Sequence, residues 1–137
     1  MKITAVEPVV VHVNHRGDWV FVLVHTDAGI TGLGEASHST DDALALALVA
    51  RYGERLVGRD PTQIQALWAS LVRRHDGRVA HTVASAIEQA LWDVLGQALG
   101  VPLRTLFGGP VRDRIRLYAN INRHVVDRSP AAFARAA

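Results

Sequence analysis

The sequence predicts an α+β fold in which a three-stranded antiparallel meander is followed by a bundle of helices. Three observations carry this. Val- and Ile-rich runs alternate with turn residues over the first 36 positions. From about Thr40 to Leu99, apolar residues recur instead at helical spacing. The two patterns are segregated along the chain rather than interleaved, as in α+β rather than α/β domains.

Residues 2–13 read as the first strand, and Pro8 within it argues for an edge position or a bulge. Asn14 to Asp18 is a polar turn. Trp19 to His25 is a second strand, apolar enough for burial over much of both faces. Thr26-Asp27-Ala28-Gly29 is a hairpin loop with Gly29 as its left-handed residue. Ile30 to Ala36 is the third strand. Its Gly32-Leu33-Gly34-Glu35 run does not open a helix, so it is no dinucleotide motif; a bulge or close backbone contact explains it better.

Thr40 or Asp41 can cap the next helix, which runs to about Leu56 and stops near Gly58. Asp60-Pro61 predicts a second helix start, with proline at the first helical position. Ile64, Leu67, Trp68, Leu71 and Val72 form its stripe, and His75 to His81 breaks it. A long helix then starts at Thr82, with Val83, Ile87, Leu91, Val94, Leu95, Ala98 and Leu99 on one broad face. Gly100 ends it in the left-handed conformation, and Pro102 cannot continue it. Leu103, Leu106 and Phe107 form an apolar cluster before Gly108, Gly109 and Pro110. Arg114 to Ile121 reads as a fresh strand and Ser129-Pro130 as the start of another helix. The alternative for that strand is a fourth member of the meander.

Composition excludes several function classes. The chain has 137 residues, 49% hydrophobic and 20% charged, with a formal net charge of +2. That suits a globular core. The basic residues are too dispersed for a nucleic-acid footprint. Arg73 and Arg74 read as a solvated helix end rather than an anion clamp. There is no cysteine, hence no disulfide framework or thiolate site. The amino terminus lacks secretory-signal features, and the most apolar later stretch, Ala43 to Ala50, is too short for a bilayer, so a cytoplasmic protein with no membrane partner is expected. None of the seven histidines pairs with another at metal-ligand spacing on a helix. Asp93 on the long helix is expected to hydrogen-bond backbone or pair with an arginine.

Ala90-Leu91-Trp92-Asp93, Gly96, Gly100-Val101-Pro102, Leu106 and Gly108-Gly109, in that order, resemble the end of the amino-terminal capping domain of the enolase superfamily, in its mandelate racemase and muconate-lactonising branch. Gly29 to Ala36, Gly58 to Pro61 and Tyr118-Ala119 resemble further segments of the same family. The resemblance implies a capping domain over residues 1–112 and, over 113–137, the first strand and helix of a (β/α) barrel whose remainder is absent. It implies proton abstraction beside a substrate carboxylate, with Mg2+ stabilising the enediolate and a lysine or histidine as base. The base and the metal ligands would lie on barrel strands beyond Ala137, so no catalytic or metal residue is assigned here.

By the same resemblance the cap contributes substrate selectivity through two loops, corresponding to Asn14–Trp19 and Ala36–Thr40. His15, Arg16, Ser37 and His38 are polar, and Trp19 is the one large apolar side chain among them. Such loops suit an acid sugar, which favours a dehydratase over a racemase, epimerase or lactonising enzyme. Asn120 and Asn122 are further candidates, near the carboxyl end of the first barrel strand, where barrel active sites form. The partners implied are a small carboxylate substrate, the missing barrel and further copies in a homo-oligomer. A free-standing binding or assembly module is the non-enzymatic alternative.

Overall fold

A computed structural model describes residues 1–14, 17–118, 120–121 and 125–137. Strands β1 (Ile3–Asn14), β2 (Gly17–Thr26) and β3 (Thr31–Glu35) form one antiparallel sheet in the order β1-β2-β3. Helices α1 (Asp42–Leu56), α2 (Ile64–Leu71) and α3 (Gly77–Leu99) follow, then short α4 (Leu103–Leu106) and α5 (Pro130–Ala136).

β1 lies at the sheet edge, as Pro8 requires. Pro8 stands opposite Val22. Val20 directs its N–H and carbonyl toward the β3 side, to Ser37 and Ala36. Backbone direction alternates along a strand, so Val22 also points that way and Pro8 opposite it is asked for no donor. The register shifts fall at the two ends of β1, between Ile3 and Ala5 and between His12 and Asn14, not at Pro8.

β2 buries one face rather than two. Val20, Val22 and Val24 are fully buried toward the helices, whereas Phe21, Leu23 and His25 on the other face are half-buried and Trp19 is exposed. Helices α1 and α3 pack on the inner face. Ala45, Val49, Tyr52 and Leu56 of α1, Ile64, Leu67 and Leu71 of α2, and Val83, Ala84, Ile87 and Leu91 of α3 complete that core.

The hairpin turns at Gly29, whose φ is +74°. Gly32 and Gly34 are a close backbone approach, with no bulge in the β2–β3 register. A Cβ on Gly32 would stand 2.0 Å from the Ala90 carbonyl oxygen, and one on Gly34 1.9 Å from that of Ala86. Two glycines facing two alanines let β3 lie against α3.

That contact also completes the sheet edge. The Leu33 N–H donates to Asp93 Oδ2 at 3.0 Å, and the Glu35 N–H to Gln89 Oε1 at 3.3 Å. Gln97 Nε2 donates to the Thr31 carbonyl at 2.8 Å and to Asp93 Oδ2 at 3.0 Å. Residues 89, 93 and 97 fall four apart on one helix face, and alternate backbone groups of β3 point to the same side. Asp93 is thus a backbone partner, one of the two roles the sequence allowed it.

Three further sequence expectations are corrected. α3 begins at Gly77, not Thr82. Ala80 is buried as well as Val83, so packing extends the helix through a segment whose composition signals a break. Asp60-Pro61 forms a turn rather than a helix start, and α2 begins at Ile64. The Asp60 carboxylate accepts from the Thr62 N–H and hydroxyl at 2.9 and 2.8 Å, a local arrangement that competes with helix. Arg114 to Ile121 forms no strand among its described residues, and the described sheet has three strands. Ile115, Leu117 and Tyr118 are 81–90% exposed, with no neighbouring strand to pair them.

Gly34→Ala is expected to destabilise the chain by about 3 kcal/mol or more through overpacking. Gly29→Ala, in open space but at positive φ, should cost about 1 kcal/mol. Urea denaturation of both variants checks the order, and equal losses would contradict it. The Thr62 backbone N–H and hydroxyl hold the Asp60 carboxyl below its ordinary value. A native pKa below the unfolded one gives stabilisation present at neutral pH and lost as pH falls through the native value. Thr62→Val should raise the Asp60 midpoint part of the way back, read by NMR titration; an unmoved midpoint would exclude the hydroxyl as a cause.

Candidate functional site: two loops meeting at Val20

The fold brings the two sequence-predicted loops to one place. Trp19 precedes Val20, and Val20 is the residue that ties down the second loop. Its carbonyl accepts the Ala36 N–H at 2.7 Å, and its N–H donates to Ser37 Oγ at 3.0 Å. A side-chain oxygen thus replaces the next backbone acceptor as β3 ends, and the loop departs from there.

The rest of that loop is held in an uncommon conformation. His38 has φ +59° and Thr40 φ +85°. Histidine tolerates the left-handed region better than most residues, but a β-branched threonine does not. Several contacts hold it. Ser39 is fully buried, and its hydroxyl donates to the Asp41 carbonyl at 3.2 Å. Arg78 Nη2 donates to the His38 carbonyl at 3.1 Å. Asp41 caps α1 by accepting from the Leu44 N–H at 2.9 Å. The loop is therefore fixed at both ends while the side chain of His38 stays exposed.

The expected polar turn over Asn14–Asp18 is mostly strand, since Asn14 ends β1 and Gly17, Asp18 and Trp19 open β2. There Trp19 packs edge-on against Phe21, with ring centroids 6.2 Å apart, and remains 47% exposed. Beside it, His12 Nδ1 lies 2.6 Å from Asp18 Oδ1 across the β1–β2 ladder. His15 and Arg16 lie outside the described residues, as does Asn122. Asn120 is described, exposed and part of no strand. Of the sequence-predicted residues, Ser37 bonds the Val20 backbone next to Trp19, and His38 follows Ser37 in the chain. Arg78 was not singled out as a loop partner by the sequence, because the contact runs from α3 to a backbone carbonyl and leaves no residue pattern.

Residues 2–108 match the family model for the mandelate racemase / muconate lactonizing enzyme N-terminal domain. This chain belongs to that family. A D-galactonate dehydratase from Variovorax paradoxus is 40% identical over 104 residues, covering 74% of this chain and 27% of the relative. A provisional dehydratase from Mesorhizobium loti, known from a crystal structure, superposes with a TM-score of 0.86 at 40% identity, over 99% of this chain and 38% of its own. An enolase from Pantoea ananatis, crystallised with D-gluconate and Mg, gives a TM-score of 0.74 at 30% identity, covering 82% and 28%. This chain therefore spans about a quarter of the length of the curated relatives it matches. The family's capping-domain architecture is the meander and helices found here.

Among the described residues, no three or more His, Asp or Glu side chains are grouped to hold a metal ion. The chemistry available at the two loops is recognition: a hydroxyl, an imidazole and an indole on an anchored backbone. Ser37→Ala is expected to free the Val20 N–H of its acceptor at a local cost of about 1–2 kcal/mol. Amide hydrogen exchange at Val20 and Ala36 should accelerate, with distant core amides of α3 unaffected. Unchanged exchange at Val20 would show that Ser37 does not anchor the loop.

Proposed function

We propose that this chain is the selectivity cap of an enolase-superfamily enzyme, and that the intact enzyme is a Mg2+-dependent acid-sugar dehydratase. The observation that carries the reading is the meeting of the two family loops at Val20, with polar side chains on an anchored backbone. The family membership and the dehydratase names of the similar proteins support it. Trp19 closes one side of the substrate space and excludes water. Ser37 positions the second loop, and His38 offers its ring to substrate hydroxyls far from the carboxylate. His15 and Arg16 belong to the same lid in this reading.

Mg2+, when bound in the intact enzyme, would stabilise charge developing at the substrate carboxylate. The described residues here do not form a set that fits it. We assign the metal ligands and the base to a (β/α) barrel continuing from residues 113–137, and Asn120 and Asn122 to its opening segment. An exposed apolar surface supports a covering domain over a free-standing module. Leu33, Leu99 and Phe107 are 51–62% exposed, and Leu33 and Phe107 flank a 390 Å3 groove floored by Trp92. We also assign the intact protein to a homo-oligomer in the cytoplasm. No helix among the described residues is long and apolar enough to cross a membrane.

In a polypeptide that joins this chain to its barrel, His38→Ala and Trp19→Ala should change the ratio of kcat/KM between competing acid sugars by about tenfold. Exchange of the proton beside the carboxylate with solvent should be nearly unchanged for the substrates still accepted. Equal loss of exchange and turnover with every substrate would contradict the lid role. The 137-residue chain alone with Mg2+ should dehydrate no acid sugar, and measurable turnover would overturn the assignment of the chemistry to the barrel.

A further inference from the structure

A groove of about 630 Å3 opens between α1 and the connection from α2 to α3, and neither loop of the cap accounts for it. Its lining carries four arginines, Arg51, Arg55, Arg73 and Arg78, against one carboxylate, Asp76. None of the four forms an ion pair with a carboxylate among the described residues. Arg55 is occupied by the Ser70 carbonyl and lies over the Tyr52 ring, 6.0 Å from its centroid. Arg78 spends one donor on the His38 carbonyl, and a guanidinium has five. Arg51 and Arg73 have exposed side chains that make no hydrogen bond among the described residues.

At the groove wall stands Tyr52, only 4% exposed as a residue, whose hydroxyl has no hydrogen-bond partner among the described residues. Among the described residues no buried side-chain nitrogen or oxygen lacks a hydrogen-bond partner, so this hydroxyl is open to solvent. Burial, reinforced by Asp76, raises the Tyr52 phenol above its ordinary value, so it keeps its proton and remains a donor. The amino end of α3 faces the same space. Asp76 does not cap it, because its carboxylate accepts the Arg73 N–H at 2.6 Å instead. The positive end of a 23-residue helix thus adds to the arginines.

We propose that this groove binds a small organic polyanion, gripped by Arg51, Arg73 and Arg78 and by the Tyr52 hydroxyl. Guanidinium groups pair with planar oxyanions through parallel hydrogen bonds, which suits phosphate and carboxylate heads alike. Leu44, Leu48 and Val79 give the walls an apolar part that would accept the ligand's carbon body.

The test is an NMR titration of the 15N-labelled 137-residue chain at about 0.15 M ionic strength, where long-range attraction is already screened. The probes are inorganic pyrophosphate and citrate, with chloride at matched ionic strength as control. Saturable shifts are expected at the amides of Arg73, Gly77, Arg78 and Val79. Saturation by pyrophosphate alone would assign the site to phosphate heads, and saturation by citrate alone to carboxylate heads; saturation by both would support a polyanion site that accepts either. Arg51→Gln with Arg73→Gln should weaken binding about tenfold, and Tyr52→Phe by about threefold. The two arginines are exposed, so folding is expected to survive, and the single variants serve as a check on it. Absence of saturation, an equal response to chloride, or unchanged affinity in a natively folded double variant would overturn the site. The readout needs neither barrel nor turnover, so its failure leaves the dehydratase reading standing.

Discussion

The approach of β3 to α3 is the constraint on which the other features depend. An edge strand presents unpaired backbone groups, which must be met by water, another strand or side chains. Here Gln89, Asp93 and Gln97 meet them. Reaching them requires backbone separations that a side chain on Gly32 or Gly34 would forbid. Ala86 and Ala90 supply the matching small residues on the helix. Steric permission and hydrogen-bond satisfaction are therefore one requirement.

Once β3 is fixed on α3, the loop that follows it is fixed as well. Ala36 and Ser37 leave the sheet while still bonded to Val20. The same helix that seats β3 through its middle reaches the loop near its start, where Arg78 holds the His38 carbonyl. The positive φ values of His38 and Thr40 are tolerated because these contacts leave the loop little alternative. A cap that selects among substrates needs such rigidity, since a loosely held donor discriminates poorly between hydroxyl patterns.

Much of this was legible in the sequence where a residue has few physical options. Gly29 and Gly100 marked left-handed positions, and both adopt them. Pro8 marked an edge strand. Gly32 and Gly34 marked a close approach, although not to which helix. Legibility ended where tertiary contact decides. His75 to His81 reads as a break, yet α3 begins within it because Ala80 is buried. Asp60-Pro61 carries a helix-start signal that the bonds to Thr62 divert into a turn. Arg114 to Ile121 has strand composition but no neighbour to form one. The two loops were named from family resemblance; their junction at Val20 rests on hydrogen bonds that no residue pattern announces. His15, Arg16 and Asn122 lie outside the described residues.

The central claim is that the Val20 junction faces the distal end of an acid-sugar substrate. It is tested most directly by a crystal structure of the polypeptide containing this chain and its barrel, with Mg2+ and an unreactive acid-sugar analogue. The account expects the analogue's far hydroxyls within hydrogen-bonding reach of the His38 side chain, with the Trp19 ring closing the same space. An analogue bound wholly by barrel residues, with both loops turned to solvent, would contradict it.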